Sequence, residues 1–196
     1  FIRDLISRGA KIDVIGLQMH IFGSQLCLDV ADGKTVFPNG TSWKPQDVIQ
    51  YLESLDSLGR PIHLSEITIP SPGNTPVANE IQAVIARNMY RLWFSWPSIY
   101  RITWWNLVDD CGAPGKPLKS GIFTRMIEPK PSYYALNQLI NEEWKTNLIV
   151  KVKEDGTATF RGFKGRYVVT WNDKHGNEQK AGFYLKNDGD GFHTFP

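Results

Sequence analysis

Apolar residues in the first 145 positions recur with two alternating periods, which predict helices and strands in turn. Recurrence every three to four residues is typical of a helix that buries one face. The helices predicted in this way span 1–8, 45–58, 76–94 and 131–143. Compact apolar runs between turn residues predict buried strands over 12–21, 61–70 and 100–107. We expect 22–44, which has no sustained period, to be a long loop.

The alternation of helices and strands predicts a parallel sheet whose strands are joined by helical crossovers. A doubly wound sheet and a (β/α)8 barrel both have this order. A nucleotide-binding sheet would carry a glycine-rich phosphate loop after a strand, and this sequence has none. Each strand is instead followed by polar or aromatic residues. This is typical of a (β/α)8 barrel, whose active site lies at the C-terminal ends of its strands. We therefore predict an α/β fold, a partial (β/α)8 (TIM) barrel, for residues 1–145.

A different pattern begins near residue 147, where short runs of alternating apolar and polar residues are separated by turn residues. The runs span 148–153, 157–160, 166–171 and 179–185. This alternation predicts a small antiparallel β unit, which we assign to residues 146–196. Trp171, Phe183 and Tyr184 could form a carbohydrate-binding face there, but core packing is the commoner use of such aromatic residues.

The amino-acid composition and net charge argue against some classes of binding partner. The chain has 196 residues, of which 41% are hydrophobic and 21% charged, and its formal net charge is +2. So small a charge, with no run of Lys and Arg, argues against a nucleic-acid partner. The longest apolar run is too short to span a membrane. Cys27 and Cys111 show neither a disulfide framework nor metal-ligand spacing, and whether they pair stays open.

The strand over 61–70 contains one carboxylate, Glu66, among apolar residues. Alone, such a glutamate is more often structural, because it pairs with an arginine or caps a loop. The two other strands also end in polar and aromatic residues, which are Gln18 and His20 in the first and Trp104, Trp105 and Asp109 in the third. The carboxyl ends of parallel strands meet at one edge, so we expect these groups to surround Glu66.

Two other chemistries fit the same stretch less well. His20, His63 and Glu66 could bind a metal ion, but Glu66 is the third residue after His63, so on a regular strand the two point to opposite faces. Ser65 lacks the flanking glycines of a nucleophile elbow. We therefore predict no metal site and no serine nucleophile.

A carboxylate, an amide, a histidine and tryptophans around one edge suit glycoside hydrolysis. Four segments, in order and spacing, resemble the sixth to eighth strands and the final helix of glycoside hydrolase family 10, the endo-1,4-β-xylanases. The segments are 8–20, 61–69, 102–109 and 129–136. By this resemblance the chain is the C-terminal part of that family's catalytic domain, followed by a small β extension.

The resemblance implies a role for each residue of the expected site. Glu66 would be the nucleophile of a retaining enzyme, and His20 would hydrogen-bond it. Gln18 would lie near the nucleophile and the sugar 2-hydroxyl, and Trp104 and Trp105 would bind substrate, with Trp105 as the floor beside the scissile bond. Asp109 matches an acidic residue that the family places after its eighth strand, and we expect it to support substrate binding. The resemblance also implies no cofactor, a xylan-like polysaccharide as substrate, and a secreted protein.

The family's acid/base glutamate, part of an Asn-Glu pair after the fourth strand, has no counterpart in the matched segments. We expect it to come from the N-terminal part of the same barrel, on this polypeptide or on a separate chain, so that the 196 residues alone are incomplete. Two alternatives remain open. One is a non-catalytic carbohydrate-binding or scaffold fragment, and the other is a different retaining β-glycanase of the same barrel type.

Overall fold

A computed structural model of the chain describes residues 1–32, 45–115, 118–186 and 191–195. They form two compact units, Phe1–Leu139 and Ile140–Pro196. The first unit contains α1 (Ile2–Ser7), β1 (Ile15–His20), α2 (Ser24–Ala31), α3 (Pro45–Asp56), β2 (Ile62–Thr68), α4 (Pro76–Phe94), β3 (Ile99–Trp104) and α5 (Pro131–Gln138). A π-helical turn, Leu139–Glu143, continues α5, and the second unit contains β4 (Gly165–Asn172) and β5 (Glu178–Leu185).

The first unit is built on a parallel sheet in the order β1-β2-β3. The predicted α/β alternation is therefore confirmed. One face of the sheet is apolar, because alternate residues of a strand point to the same side. Its buried residues include Ile15, Leu17 and Met19 of β1 and Ile62, Leu64 and Ile67 of β2. The helices contribute fully buried side chains such as Leu52 of α3 and Trp93 of α4.

The ends of the helices follow the expected local chemistry. Thr75 caps α4, because its hydroxyl oxygen accepts a hydrogen bond from the backbone N–H of Ala78 at 3.2 Å, and Pro76 occupies the first turn. Gly59, with φ of +62°, closes the turn after α3, a conformation that glycine adopts without strain. Within the described residues, no helix combines the length and apolarity that crossing a membrane requires.

The prediction of a long loop over 22–44 is wrong for its first third. Residues Ser24–Ala31 form α2, and the side chain of Cys27 is completely buried. An eight-residue helix is too short to show a clear period, and α2 owes its stability to packing against α4 rather than to helix propensity. The rest of the predicted loop, 33–44, lies outside the described residues.

The second unit is antiparallel, as predicted, but it has fewer strands. Two of the four predicted runs, 148–153 and 157–160, are not strands, whereas β4 and β5 pair over their whole length. Between the first two runs, the Asp155 carboxylate accepts hydrogen bonds from both the backbone N–H and the hydroxyl of Thr157. The backbone N–H of Lys153 also donates to the carbonyl oxygen of Thr157 at 2.8 Å, so the two runs are joined by a tight turn, but the pairing does not continue into strands.

Aromatic rings of the second unit pack on one another. Tyr167 and Phe183 are register partners whose rings stack with centroids 5.3 Å apart, and Phe183 also contacts the His193 ring at 4.3 Å. Tyr184, the residue after Phe183, points to the opposite face and is exposed. Trp171 and Phe183 therefore do not share a face with Tyr184, and the preferred interpretation, core packing, agrees with the ring contacts.

Candidate active site

A β-bulge in β2 determines where Glu66 points. Leu17 pairs with Leu64, but the next residue of β1, Gln18, pairs with Glu66, so Ser65 is an extra residue. The Ser65 hydroxyl donates to the carbonyl oxygen of Leu17 at 3.1 Å. Without the extra residue, strand alternation would turn Glu66 to the buried face that Leu64 occupies. The bulge therefore places the carboxylate on the open face of the sheet, beside Gln18.

Each carboxylate oxygen of Glu66 has a hydrogen-bond partner from β1. Gln18 Nε2 donates to Oε1 at 3.0 Å, and His20 Nε2 lies 3.2 Å from Oε2. The side chain of His20 is 5% exposed, whereas that of Glu66 is 23% exposed. The carboxylate is thus fixed in orientation and still open to a ligand. The sequence prediction that Gln18, His20 and Glu66 lie together agrees with this geometry.

The structure adds two residues that sequence reasoning missed, Thr68 and Phe22. Thr68 Oγ1 lies 2.9 Å from Nδ1 of His20, and the Phe22 ring stacks on the imidazole at a centroid distance of 4.6 Å. Each lies two residues beyond a predicted site residue, Thr68 after Glu66 and Phe22 after His20. The period of two along a strand was the available signal, because it places such residues on one face.

The two adjacent tryptophans have different surroundings. Trp105 meets the His20 ring edge to face at 6.3 Å and is 43% exposed, so it belongs to the site. Trp104 Nε1 donates to the carbonyl oxygens of Asn106 and Ser120, and its ring lies 6.3 Å from that of Tyr90 in α4. Trp104 is the register partner of the buried Ile67, so it lies on the apolar face of the sheet, opposite to Glu66.

Asp109 is buried, and its carboxylate has partners within the protein. Its carboxylate accepts hydrogen bonds from Lys130 Nζ at 3.1 Å and from the backbone N–H of Gly121 at 2.9 Å. Both ionic side chains are almost fully buried. Burial lowers the pKa of Lys130, and the attraction of Asp109 opposes that shift. The pair ties the segment after β3 to the start of α5 and gives Asp109 a structural role, while its part in substrate binding stays a prediction.

The reason given for excluding His63 as a metal ligand is wrong, because the bulge changes the phase of β2. His63 pairs with Gly16 and Glu66 with Gln18, and Gly16 and Gln18 share a face of β1, so His63 and Glu66 also share a face. His63 Nε2 instead lies 3.0 Å from Thr103 Oγ1. In the described part of the chain, no three His, Cys, Asp or Glu residues are grouped as metal ligands would be.

Neither cysteine forms a disulfide, which answers the question that the sequence left open. Cys27 is buried in α2, and burial raises the pKa of its thiol to about 12. Cys111 is exposed and accepts a hydrogen bond from Arg125. The Ser65 hydroxyl donates to the carbonyl oxygen of Leu17, so this hydroxyl does not point into the site as a nucleophile would.

The protein is thus an α/β protein. The carboxylate of Glu66, with hydrogen-bond partners on the neighbouring strand, lies near the C-terminal ends of its parallel strands. Residues 1–139 match the family described as glycosyl hydrolase family 10. The chain belongs to this family, and the predicted resemblance is confirmed. Membership implies a (β/α)8 barrel, of which the parallel sheet and its helices are a part.

Individual relatives agree with this assignment. Endo-1,4-beta-xylanase B of Thermotoga neapolitana is 29% identical over 150 residues, which are 74% of this chain and 38% of that protein. The structure of native xylanase 10B from Thermotoga maritima is similar with a TM-score of 0.52 and 23% identity, over 72% of this chain and 40% of that one. An intracellular xylanase from Thermoanaerobacterium saccharolyticum gives a TM-score of 0.52 and 24% identity, over 69% and 37% of the two chains. The chain thus spans about two fifths of the length of these relatives.

Proposed function

We propose that the chain is the C-terminal part of a retaining endo-1,4-β-xylanase, with strands that correspond to the sixth to eighth of the barrel and with Glu66 as the nucleophile. One observation carries the proposal. Both oxygens of Glu66 have hydrogen-bond partners on the neighbouring strand, while its side chain stays accessible from the open face of the sheet. Orientation with access is what a nucleophilic carboxylate requires.

The reaction would be a double displacement. Glu66 attacks the anomeric carbon and forms a covalent glycosyl-enzyme, which water then hydrolyses. A second carboxylate, about 5 Å away in retaining enzymes, first protonates the leaving oxygen and then activates the water. This acid/base comes from a part of the barrel outside the present chain, which spans 38% of the curated relative. Gln18 and His20 keep Glu66 in line with the sugar.

Trp105 would provide the floor for the sugar beside the scissile bond. Its exposed ring lies perpendicular to that of His20, which contacts Glu66, so we expect a sugar stacked on the tryptophan to lie within reach of the carboxylate. Apolar faces of sugars stack on aromatic rings of this kind. The substrate of the proposal is β-1,4-xylan, since the curated relative is named as an endo-1,4-β-xylanase. Secretion is part of the proposal, because a polymer of this size does not enter a cell; the similar enzyme from Thermoanaerobacterium saccharolyticum, in contrast, is named as intracellular.

A hybrid barrel tests the proposal. This chain replaces the matching segment of endo-1,4-beta-xylanase B from Thermotoga neapolitana, so that the other carboxylate is present. We expect the hybrid barrel to release reducing sugars from xylan and Glu66→Ala to lose that activity. Azide should restore turnover and yield a product of inverted configuration, because the small anion fills the space that the carboxylate leaves. Glu80→Ala, in an exposed position of α4, is the matched control. Full activity of Glu66→Ala would overturn the proposal.

A second candidate, a non-catalytic fragment that binds xylan, is favoured by the exposure of Trp105. The isolated chain would then be retarded in a gel that contains xylan, and Trp105→Ala would abolish the retardation. Retardation of the chain together with an inactive hybrid barrel would favour this candidate over catalysis. Hydrolysis by the isolated chain would contradict both, because neither supplies a second carboxylate from within it.

A further inference from the structure

The hydroxyl of Thr68 contacts Nδ1 of His20, the ring nitrogen that faces away from Glu66. Thr68 Oγ1 lies 2.9 Å from Nδ1, while Nε2 on the other side of the ring lies 3.2 Å from Glu66 Oε2. Thr68 is 1% exposed. Both polar atoms of the imidazole therefore have protein partners in a place that bulk water hardly reaches.

The chemistry of these two partners limits where the ring protons can lie. An ionised carboxylate only accepts hydrogen bonds, so Nε2 must carry a hydrogen to bond Glu66. A neutral imidazole has a single N–H, which leaves Nδ1 as an acceptor that needs a donor. The Thr68 hydroxyl can donate to a bare Nδ1 or accept from a protonated one, and it brings no charge to stabilise a second ring proton. In contrast, a carboxylate in its place would accept a hydrogen bond from a second ring N–H and, together with Glu66, favour the imidazolium.

We propose that Thr68 is a positioning residue that holds His20 as a neutral imidazole with its proton on Nε2. His20 then orients Glu66 in the same way as Gln18, through a neutral donor. Among the described residues, no Lys or Arg lies within ion-pair distance of Glu66. Neutral donors leave more negative charge on the carboxylate than charge-assisted ones do. The consequence for the proposed function is a better nucleophile.

The tautomer can be read directly from the 196-residue chain, whether or not it is part of a xylanase. Long-range 1H–15N correlation spectra of the chain, labelled at its four histidines, distinguish a protonated from a bare ring nitrogen. His20→Gln identifies the His20 signals by their loss. At neutral pH we expect a bare Nδ1 and a protonated Nε2 for His20. Two protonated nitrogens, or a protonated Nδ1 alone, would overturn the proposal.

Variants distinguish a direct effect of the Thr68 hydroxyl on His20 from a general change in the fold. Thr68→Val keeps the shape but removes the hydroxyl, so we expect shifted His20 nitrogen signals, and Thr68→Ser should restore the wild-type pattern. Thr103→Val is the matched control, because it removes the hydroxyl that contacts His63 on the same face and should leave His20 unchanged. If Thr68→Val leaves the His20 signals unchanged, or if Thr68→Ser fails to restore them, Thr68 does not hold the tautomer.

The kinetic part of the inference rests on the proposed function. In the hybrid barrel, Thr68→Val should lower kcat about tenfold, the effect of one ordinary hydrogen bond, with little change in KM, and Thr68→Ser should recover most of it. An equal kcat in Thr68→Val would overturn the positioning role. An inactive hybrid barrel with the expected tautomer would refute the proposed function alone, whereas an active one with an imidazolium would refute this inference alone.

Discussion

Gln18 and Glu66 are register partners across β1 and β2, and their side chains meet with Nε2 3.0 Å from Oε1. They meet only because Ser65 is an extra residue in β2. The orientation of the carboxylate is thus determined by the backbone of two paired strands rather than by a loop. Sites built on strands hold their geometry more closely than sites built on loops.

The hydrogen bond of the bulge should have a measurable effect on stability. Ser65→Ala removes the hydroxyl that donates to the Leu17 carbonyl, and we expect the free energy of unfolding in urea to fall by about 1 kcal/mol. Ser54→Ala, which removes an exposed hydroxyl bonded within α3, is the control and should change it by less than about 0.5 kcal/mol. Equal effects of the two substitutions would mean that the hydroxyl does not stabilise the bulge.

The two neighbouring Lys–Asp pairs should differ sharply in their effect on stability. Lys130→Met leaves Asp109 buried without its cation, and we expect a loss of about 3–5 kcal/mol in the free energy of unfolding. Lys119→Met breaks the pair with Asp110, whose side chains are about one third exposed, and should cost less than about 1 kcal/mol. Denaturant titrations of the two variants give the comparison. A loss below about 1 kcal/mol for Lys130→Met would contradict the assigned structural role.

Local chemistry explains which features the sequence could predict. The cap at Thr75 and Pro76, and the apolar runs of the three parallel strands, are signals carried by neighbouring residues, and the structure contains the corresponding elements. The carboxylate site could be anticipated because parallel strands bring Gln18 and Glu66, which are distant in sequence, to one edge.

The features that could not be predicted depend on contacts between distant parts of the chain. The bulge at Ser65 is a property of pairing between two strands, and no pattern within 61–70 indicates it. The same applies to Asp109, since only the fold brings Lys130 to it. Trp104 and Trp105 are adjacent and of one type. Only the side of the sheet on which each ring lies shows which of them reaches the site.

Burial of Cys27 predicts a loss of stability at high pH. Burial raises its pKa from 9.0 to about 12, so between these values the unfolded chain releases a proton that the folded chain keeps. The free energy of unfolding should therefore fall as pH rises above 9, with a contribution of up to about 1.4 kcal/mol per pH unit.

The slope of the free energy of unfolding between pH 9 and 11 measures this effect. Cys27→Ala should show a shallower slope than the wild type, whereas Cys111→Ala, at the exposed cysteine, should show the wild-type slope. Burial also raises the pKa of Tyr90, which adds to the slope in every variant, so the difference between variants isolates Cys27. Parallel curves for Cys27→Ala and the wild type would contradict the prediction.

The central claim is that Glu66 is the residue that bonds to the sugar. A 2-deoxy-2-fluoro xylobioside with a good leaving group slows hydrolysis of the glycosyl-enzyme more than its formation, so the intermediate accumulates. After the hybrid barrel reacts with it, mass spectrometry of the proteolytic peptides locates the label. The account predicts one sugar per barrel, attached to Glu66, and no label in Glu66→Gln. A sugar attached to any other residue would contradict it.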